Sequence, residues 1–338
     1  RYRDGCGVRD LPLSRGILKR MSQAEVTPEM GSATQRANKP SKEVVIRVRA
    51  AALNFFDTLM IRGKYQHKPE LPFSPGGELA GEIGQLGPGV TGLEVGQRVM
   101  AHVGWNGCRE KTVAKARAVV PLPAEVSDEI AAGVTITYGT AMHGLKDRGR
   151  IAPGETVAVL GASGGAGLAA VEIATALGAR VIAVASSPEK LAVCDAHGAD
   201  DLIDYSTGDL RDQLKATTGG RGVDIVYDCV GGNQTERALR ALAWEGRLLV
   251  IGFASGDIPQ IPLNLPLLKG CSIVGVMFGR FAELFPEQQR NNMRQVLGWC
   301  ADGTLKPYVQ EVVPLDATIR ALKMIEARKA AGKIVVRT

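Results

Sequence analysis

From Thr156 onward the apolar positions fall in short continuous runs separated by helix-length segments. Segments 156–160 (TVAVL), 180–185, 202–205, 223–229 and 248–252 read as buried strands, and 273–277 as the last of the set. Between them, 165–177 is rich in alanine and closes on Gly178, a residue suited to a helix end. Ser187-Pro188-Glu189 pairs an N-cap residue with proline at the first helical position, opening a helix to about His197. Further helices are predicted around 209–217 and 233–243. Strands alternating with helices predict an α/β fold with a doubly wound parallel sheet.

Residues 41–135 follow another rhythm. Val44, Ile46 and Val48 alternate with other positions as in a half-exposed strand, and turn signals recur at Pro75-Gly76-Gly77, Gly87-Pro88-Gly89 and Val95-Gly96-Gln97. This is a β-rich unit with a helix around 55–62. The tail has helical stretches near 287–301 and 316–328 and a closing strand at 333–337. That strand is expected to return to the first unit and make it discontinuous. The division expected is an atypical arm at 1–40, a catalytic domain from 41–136 and 278–338, and a nucleotide-binding domain at 137–277. Residues 1–40 show no clear period.

Composition narrows the function. The chain has 338 residues, 45% of them hydrophobic, enough for two cores. No apolar run approaches the ~18 residues of a membrane helix, and the charged start lacks a signal core, so no membrane insertion and a cytoplasmic location are expected. The net charge is +6. Residues 1–40 hold eight Lys/Arg against four Asp/Glu, which leaves +2 for the rest. A basic face for nucleic acid is therefore not expected. The six cysteines (6, 108, 194, 229, 271 and 300) form no C-x-x-C pair, and the four histidines are equally scattered. Neither a disulfide scaffold nor a metal site is expected.

Gly161-Ala162-Ser163-Gly164-Gly165-Ala166-Gly167 lies between a predicted strand and a predicted helix, the setting a dinucleotide fingerprint requires. Read as G-x-G-x-x-G, its first glycine is replaced by Ala162. Gly164 then lets the backbone approach a pyrophosphate, and Gly167 lets the helix pack on the sheet. Phosphates would face the free N–H groups of the helix N-terminus. A tight turn without ligand is the plainer alternative, and the surrounding βαβ repeat argues against it. NAD enzymes place an acid about 20 residues after the glycines for the ribose 2′-hydroxyl. Here the position reads Ala185-Ser186-Ser187. Without a carboxylate to repel a 2′-phosphate, and with Lys190 and Ser186 close by, NADPH is expected over NADH.

These segments together resemble the medium-chain dehydrogenase/reductase superfamily, and within it the zinc-free NADPH:quinone oxidoreductases (the zeta-crystallin-like branch). The resemblance spans about 43–338 and rests on EVVIRV at 43–48, LNFFDT at 53–58, PFSPGGELAG at 72–81 and GVTITYGTA at 133–141. It continues through the glycine turn, DIVYDCVG at 224–231 and GKIV at 332–335. It implies a Rossmann doubly wound parallel sheet plus a β-rich GroES-like catalytic domain. Zinc relatives carry cysteine at Asn54 and histidine at Gly77, so metal-assisted alcohol oxidation is the weaker reading. The resemblance also implies site residues. Asn54, Asp57 and Tyr65 fall at catalytic positions, although Asn54 also suits a helix N-cap and Tyr65 simple packing. Thr135 falls beside the nicotinamide carboxamide, and Tyr205, Lys190 and Arg328 around the adenosine 2′-phosphate. Gly252 and Phe253 fall at the crevice edge. Relatives are commonly homodimers or homotetramers. They also open with a strand and hairpin that residues 1–40 do not show, so a truncated or mis-framed start and a first domain without its usual edge are expected.

Without a metal, the expected reaction moves a hydride from NADPH to a quinone or enone acceptor, the cofactor carrying the chemistry and the protein the orientation. Tyr65 is a candidate proton donor and solvent the simpler source. A 2-alkenal or enoyl-thioester reductase and a non-catalytic NADPH-binding protein remain the alternatives.

Overall fold

The computed structural model describes residues 42–338, so the expectations for the arm at 1–40 lie outside it. Strands β1 (Glu43–Leu53), β2 (Glu78–Leu86), β3 (Arg98–His102), β4 (Lys111–Lys115) and β5 (Val119–Pro121) build the first unit, with helix α1 (Phe55–Met60) after β1. Helices α2 (Asp128–Val134) and α3 (Thr137–Met142) lead into the second. There the chain alternates through β6 (Thr156–Leu160), α4 (Gly165–Ala176), β7 (Arg180–Ala185), α5 (Pro188–Asp195), β8 (Asp201–Asp204) and α6 (Leu210–Thr217). It continues through β9 (Val223–Asp228), α7 (Asn233–Arg240), β10 (Leu242–Val250), α8 (Asn264–Lys269) and β11 (Ser272–Gly275). The tail comprises α9 (Phe278–Leu284), α10 (Pro286–Ala301), β12 (Val309–Pro314), α11 (Thr318–Glu326) and β13 (Lys333–Arg337).

The parallel sheet has the order β11-β10-β9-β6-β7-β8. The order reverses between β6 and β9, and ligands of such sheets bind outside the carboxyl ends of the strands at that reversal. Helices cover both faces, so successive strand residues are buried on opposite sides. Val157 and Val159 join one core with Ile225 and Tyr227, while Ala158 and Leu160 join another with Ile182 and Val226. This is the doubly wound sheet the apolar runs predict.

The other sheet runs β12-β13-β1-β2-β3-β5, with β4 also on β1. The tail strand does return: β13 pairs antiparallel with β1, Ala51 facing Val336 and Leu53 facing Ile334. This places Lys333 beside the end of β1. Val44, Ile46, Leu79, Ile83 and Val336 fill the core of this unit.

Some boundaries differ from expectation. Strand β10 begins at Leu242, ahead of the 248 expected, because its pairing with β9 slips between Leu242 and Arg247 around Glu245 at φ +59. The polar Glu245-Gly246-Arg247 stretch interrupts the apolar run that marks the rest of the strand. Strand β11 stops at Gly275, and Met277 is already the N-cap of α9. Helices α8 and α9 and strand β12 gave no pattern clear enough to predict. Among the described residues no helix is long and apolar enough to cross a membrane.

Candidate functional site

A cleft of about 1290 Å³ runs along the carboxyl ends of β6, β7, β9 and β10 and on to the end of β1. The glycine turn forms its floor. Gly161 leaves β6 at φ +70, and Gly164 is the N-cap of α4. A Cβ on Gly167 would lie 2.1 Å from the Gly161 carbonyl oxygen, so helix and turn touch backbone to backbone there. A Cβ on Gly164 would meet nothing nearer than 3.4 Å. Gly164 is thus free of internal crowding and leaves its open side for a ligand. Ser163, Gly165 and Ala166 complete the cleft-facing rim, whereas Ala162 is fully buried beneath it. Gly164 also bridges to Gly332, which ties the turn to the approach of β13.

At one end of the cleft, beyond the paired strands β7 and β8, lie Ser186, Lys190 and Tyr205, and Arg328 also lines the cleft. Ser187 caps α5, and the Lys190 ammonium donates to the Ser186 hydroxyl at 3.0 Å. Arg328 sits in the left-handed region at φ +56 and donates to the Ser255 carbonyl at 3.0 Å. One cation and two hydroxyl-bearing side chains therefore adjoin the ends of β7 and β8, groups of a kind suited to a phosphate monoester. Gly252 and Phe253 line the wall beyond β10.

At the other end, Thr135 is 3% exposed, lines the cleft, and its hydroxyl has no hydrogen-bond partner. A buried hydroxyl left unpaired costs about 1–3 kcal/mol, so this atom retains an unmet hydrogen-bonding capacity. Tyr65 lines the same end, stacked on Phe56 with ring centroids 5.4 Å apart. Burial, and secondarily the Asp57 charge, raises its phenol pKa, making it a weaker acid. Burial also lowers the pKa of the nearby His102, which favours a neutral ring.

Asn54 occupies the N-cap of α1, and its amide is also held by two charged side chains. Its Oδ1 accepts from Lys333 Nζ at 2.7 Å, and its Nδ2 donates to Glu78 Oε1 at 2.9 Å. Lys333 Nζ also donates to Glu78 Oε1 at 2.8 Å and to the Leu53 carbonyl at 3.1 Å. Glu78 Oε2 accepts from the Ile136 N–H at 2.7 Å, next to Thr135. The cluster draws on β1, β2, β13 and the α2–α3 junction. Glu78 and Lys333 were missed as site residues in the sequence, although both lie inside segments that carry the resemblance. The available signal was a charged residue opening a strand, directly before apolar positions, in each case.

Asp57 does not reach the cleft. It is fully buried and accepts from the Asn54 N–H at 2.8 Å and the Gly76 N–H at 2.9 Å. It therefore positions the Asn54 backbone and touches no substrate, a correction to the catalytic role expected for it. Burial pushes its pKa up to about 7, although the two N–H groups and the Lys333 charge pull the other way. The unfolded carboxyl ionises near its ordinary 3.8, so between about pH 4 and 7 the folded state holds the extra proton. Stability accordingly falls as pH rises through that window and levels off above it. In Asp57→Asn, thermal melts from pH 5 to 8 should show a smaller fall than in the parent chain. An equal fall would remove Asp57 as its source.

A zinc ion does not fit these residues. At Gly77, where zinc relatives carry histidine, even a Cβ would lie 2.6 Å from Phe56 Cζ and 3.2 Å from Ile136 Cδ1. The oxygens of Asn54 and Glu78 are already held by the Lys333 ammonium and a backbone N–H.

Two family models match the chain: an alcohol dehydrogenase GroES-like domain over 40–140 and a zinc-binding dehydrogenase domain over 165–301. A quinone oxidoreductase-like protein 2 homolog of Nematostella vectensis is 40% identical over 89% of this chain and 83% of its own. The Escherichia coli quinone oxidoreductase complexed with NADPH superposes with a TM-score of 0.83 at 29% identity, covering 91% of this chain and 95% of that one. The CurK enoyl reductase gives a TM-score of 0.77 at 27% identity, covering 90% and 94%.

Proposed function

Because this chain belongs to the medium-chain dehydrogenase/reductase family, we propose that it is an NADPH-dependent, metal-independent reductase of quinones or similar electron-poor carbonyl acceptors. The observation that carries this reading is the single cleft that joins the glycine turn, the unpaired Thr135 hydroxyl and the Asn54–Glu78–Lys333 cluster. A nicotinamide cofactor fits these residues, and when bound it supplies the hydride.

The chain's own residues bind, orient and exclude water. The N–H groups at the start of α4 receive the pyrophosphate. Ser186, Lys190, Tyr205 and Arg328 receive a 2′-phosphate, and Thr135 fixes the carboxamide. Phe56, Tyr65 and Phe278 are aromatic residues of the acceptor end, where a flat ring would lie against them. Most of the rate comes from holding the two reactants in contact. Solvent is taken as the source of the proton, and burial makes the Tyr65 phenol a weaker acid than a free one.

A second reading, reduction of a 2-alkenal or an enoyl thioester, is favoured by the cleft volume and by the likeness to an enoyl reductase. The cleft exceeds the ~300–1,000 Å³ of ordinary small-ligand sites, leaving room for an extended acceptor beside the cofactor. The five described cysteines are unpaired, in keeping with a cytoplasmic setting. A homodimer or homotetramer is supported by β11, which ends the parallel sheet, and by exposed Trp244, Leu263, Leu267 and Leu268 near it.

NADPH consumption measured with a quinone, a 2-alkenal and a crotonyl thioester, each repeated with NADH, tests the reading. Turnover of the quinone with NADPH is the expected result, and turnover of the thioester alone would favour the second reading. Tight NADPH binding with no turnover of any acceptor would leave a nucleotide-binding protein. Stoichiometric zinc in the purified protein would overturn the metal-free assignment.

A further inference from the structure

Lys333 is a buried ammonium whose three contacts are all internal. Its side chain is 5% exposed, and that of Glu78 is fully buried. An ammonium can only donate, and a carboxylate can only accept. A buried ion pair is a poor stabiliser, since apolar residues of similar volume often do as well or better. The pair therefore invites a reason beyond stability. Asn54 supplies one, because its amide lies between the two charges.

The Lys333 N–H against Oδ1 at 2.7 Å and the Glu78 oxygen against Nδ2 at 2.9 Å define the amide's orientation. Rotated by half a turn, the amide would set its NH2 against an ammonium and its oxygen against a carboxylate. Both contacts would be repulsive. Oδ1 thus faces the ammonium, and Nδ2 keeps one further N–H after serving Glu78. Asp57 fixes the backbone of the same residue, and Glu78 fixes the segment beside Thr135.

We propose that Lys333 is a positioning residue that locks the Asn54 amide in one orientation, so that the cleft presents an N–H donor to the carbonyl oxygen of the acceptor. The proposal rests on the carbonyl-reductase reading and adds to it the polarity of the recognising group. In that reaction a hydride, released as a carbon–hydrogen bond of the reduced nicotinamide breaks, would form a new carbon–hydrogen bond at the acceptor, the π-electron pair would move onto the carbonyl oxygen, and solvent would deliver the proton. Negative charge grows on the oxygen that the N–H meets. A donor held in place before the charge appears is most effective in a site that excludes water.

The test has a spectroscopic arm and a kinetic arm. Acetophenone bound without cofactor serves as a probe, and its carbonyl stretch is read by difference infrared spectroscopy. A lower frequency in the parent chain than in Asn54→Ala is expected, and equal frequencies would overturn the donor. In Lys333→Met/Glu78→Gln, which removes both charges together, the band should move toward that of Asn54→Ala. The kcat should drop by ~100-fold, the scale of losing one such donor.

Placed on an Asn54→Ala background, the same pair of substitutions should add little further loss, because Lys333 acts through Asn54. Full additivity would overturn the lock. Lys333→Arg keeps a charge for Glu78, and so the fold, but its planar fork cannot repeat the three contacts. It should lose at least about tenfold in kcat on the same reasoning, and parent-like turnover would again overturn the lock. A carbonyl shift without turnover of any acceptor would defeat the reductase reading and leave the lock standing. Turnover without the shift would do the reverse.

Discussion

Gly167→Ala is expected to cost both stability and nucleotide binding, whereas Gly164→Ala should cost binding alone. The difference lies in what each added methyl meets. At Gly167 it would lie 2.1 Å from the Gly161 oxygen and 2.8 Å from Ala162 Cα, all backbone atoms that cannot swing aside. Overpacking commonly costs ~1–3 kcal/mol, and a collision with backbone belongs at the upper end. At ~2–4 °C per kcal/mol the thermal midpoint should fall by several degrees. The turn must shift to relieve the contact, which moves the N–H groups that receive the pyrophosphate. A loss of about 100-fold in NADPH affinity, or ~2.7 kcal/mol, is the scale expected. At Gly164, φ is −76 and the nearest atom 3.4 Å away, so the fold should accept alanine. Its methyl then occupies the side open to the diphosphate. Parallel melting curves and fluorescence titrations of the two variants check this. Parent-like affinity in Gly164→Ala would mean that the diphosphate lies elsewhere.

The fold was largely legible because its strands are locally encoded. A strand buried on both faces needs an unbroken apolar run, and Thr156–Leu160 and Arg180–Ala185 have one. The glycine turn was legible for a related reason: strand, turn and helix are consecutive, and the physical demand on Gly167 is met within a few residues. Strand β10 was only half legible, because a polar Glu245-Gly246-Arg247 stretch interrupts its apolar run and its pairing slips there.

The acceptor end was legible in its members and not in their relations. Asn54, Tyr65 and Thr135 carried the resemblance to a known family. Nothing local shows that the Asn54 amide, at the start of a helix, also serves an ion pair. Lys333 lies 279 residues from Asn54, and only the pairing of β13 with β1 brings them together. Asp57 shows the same limit in reverse. Its place in the first turn of α1 is plain from the sequence, but its burial behind Gly76 depends on the fold of the loop that precedes β2, so sequence alone does not separate a positioning group from a catalytic one.

Ser186→Asp combined with Lys190→Ala should reverse the choice of cofactor. In the parent chain the end of β7 offers a hydroxyl and an ammonium 3.0 Å apart, and Arg328 and Tyr205 also line the cleft. A 2′-phosphate carries close to two negative charges at neutral pH, as other phosphate monoesters do. Removing the ammonium and adding a carboxylate changes the local charge by two units. Two like unit charges at ~4 Å repel by about 4 kcal/mol at an effective dielectric of 20, and screening at this open end lowers that figure. A loss of about 100-fold or more in kcat/KM for NADPH is therefore expected, equivalent to ~2.7 kcal/mol. The new carboxylate can accept from a ribose 2′-hydroxyl, which NADH has and NADPH lacks, so kcat/KM for NADH should hold or rise. Because both substitutions lie at the phosphate end, kcat at saturating cofactor should change little. A fall in kcat alone would place their effect on the acceptor site instead, and an unchanged NADPH preference would show that Arg328 and Tyr205 suffice to hold the phosphate.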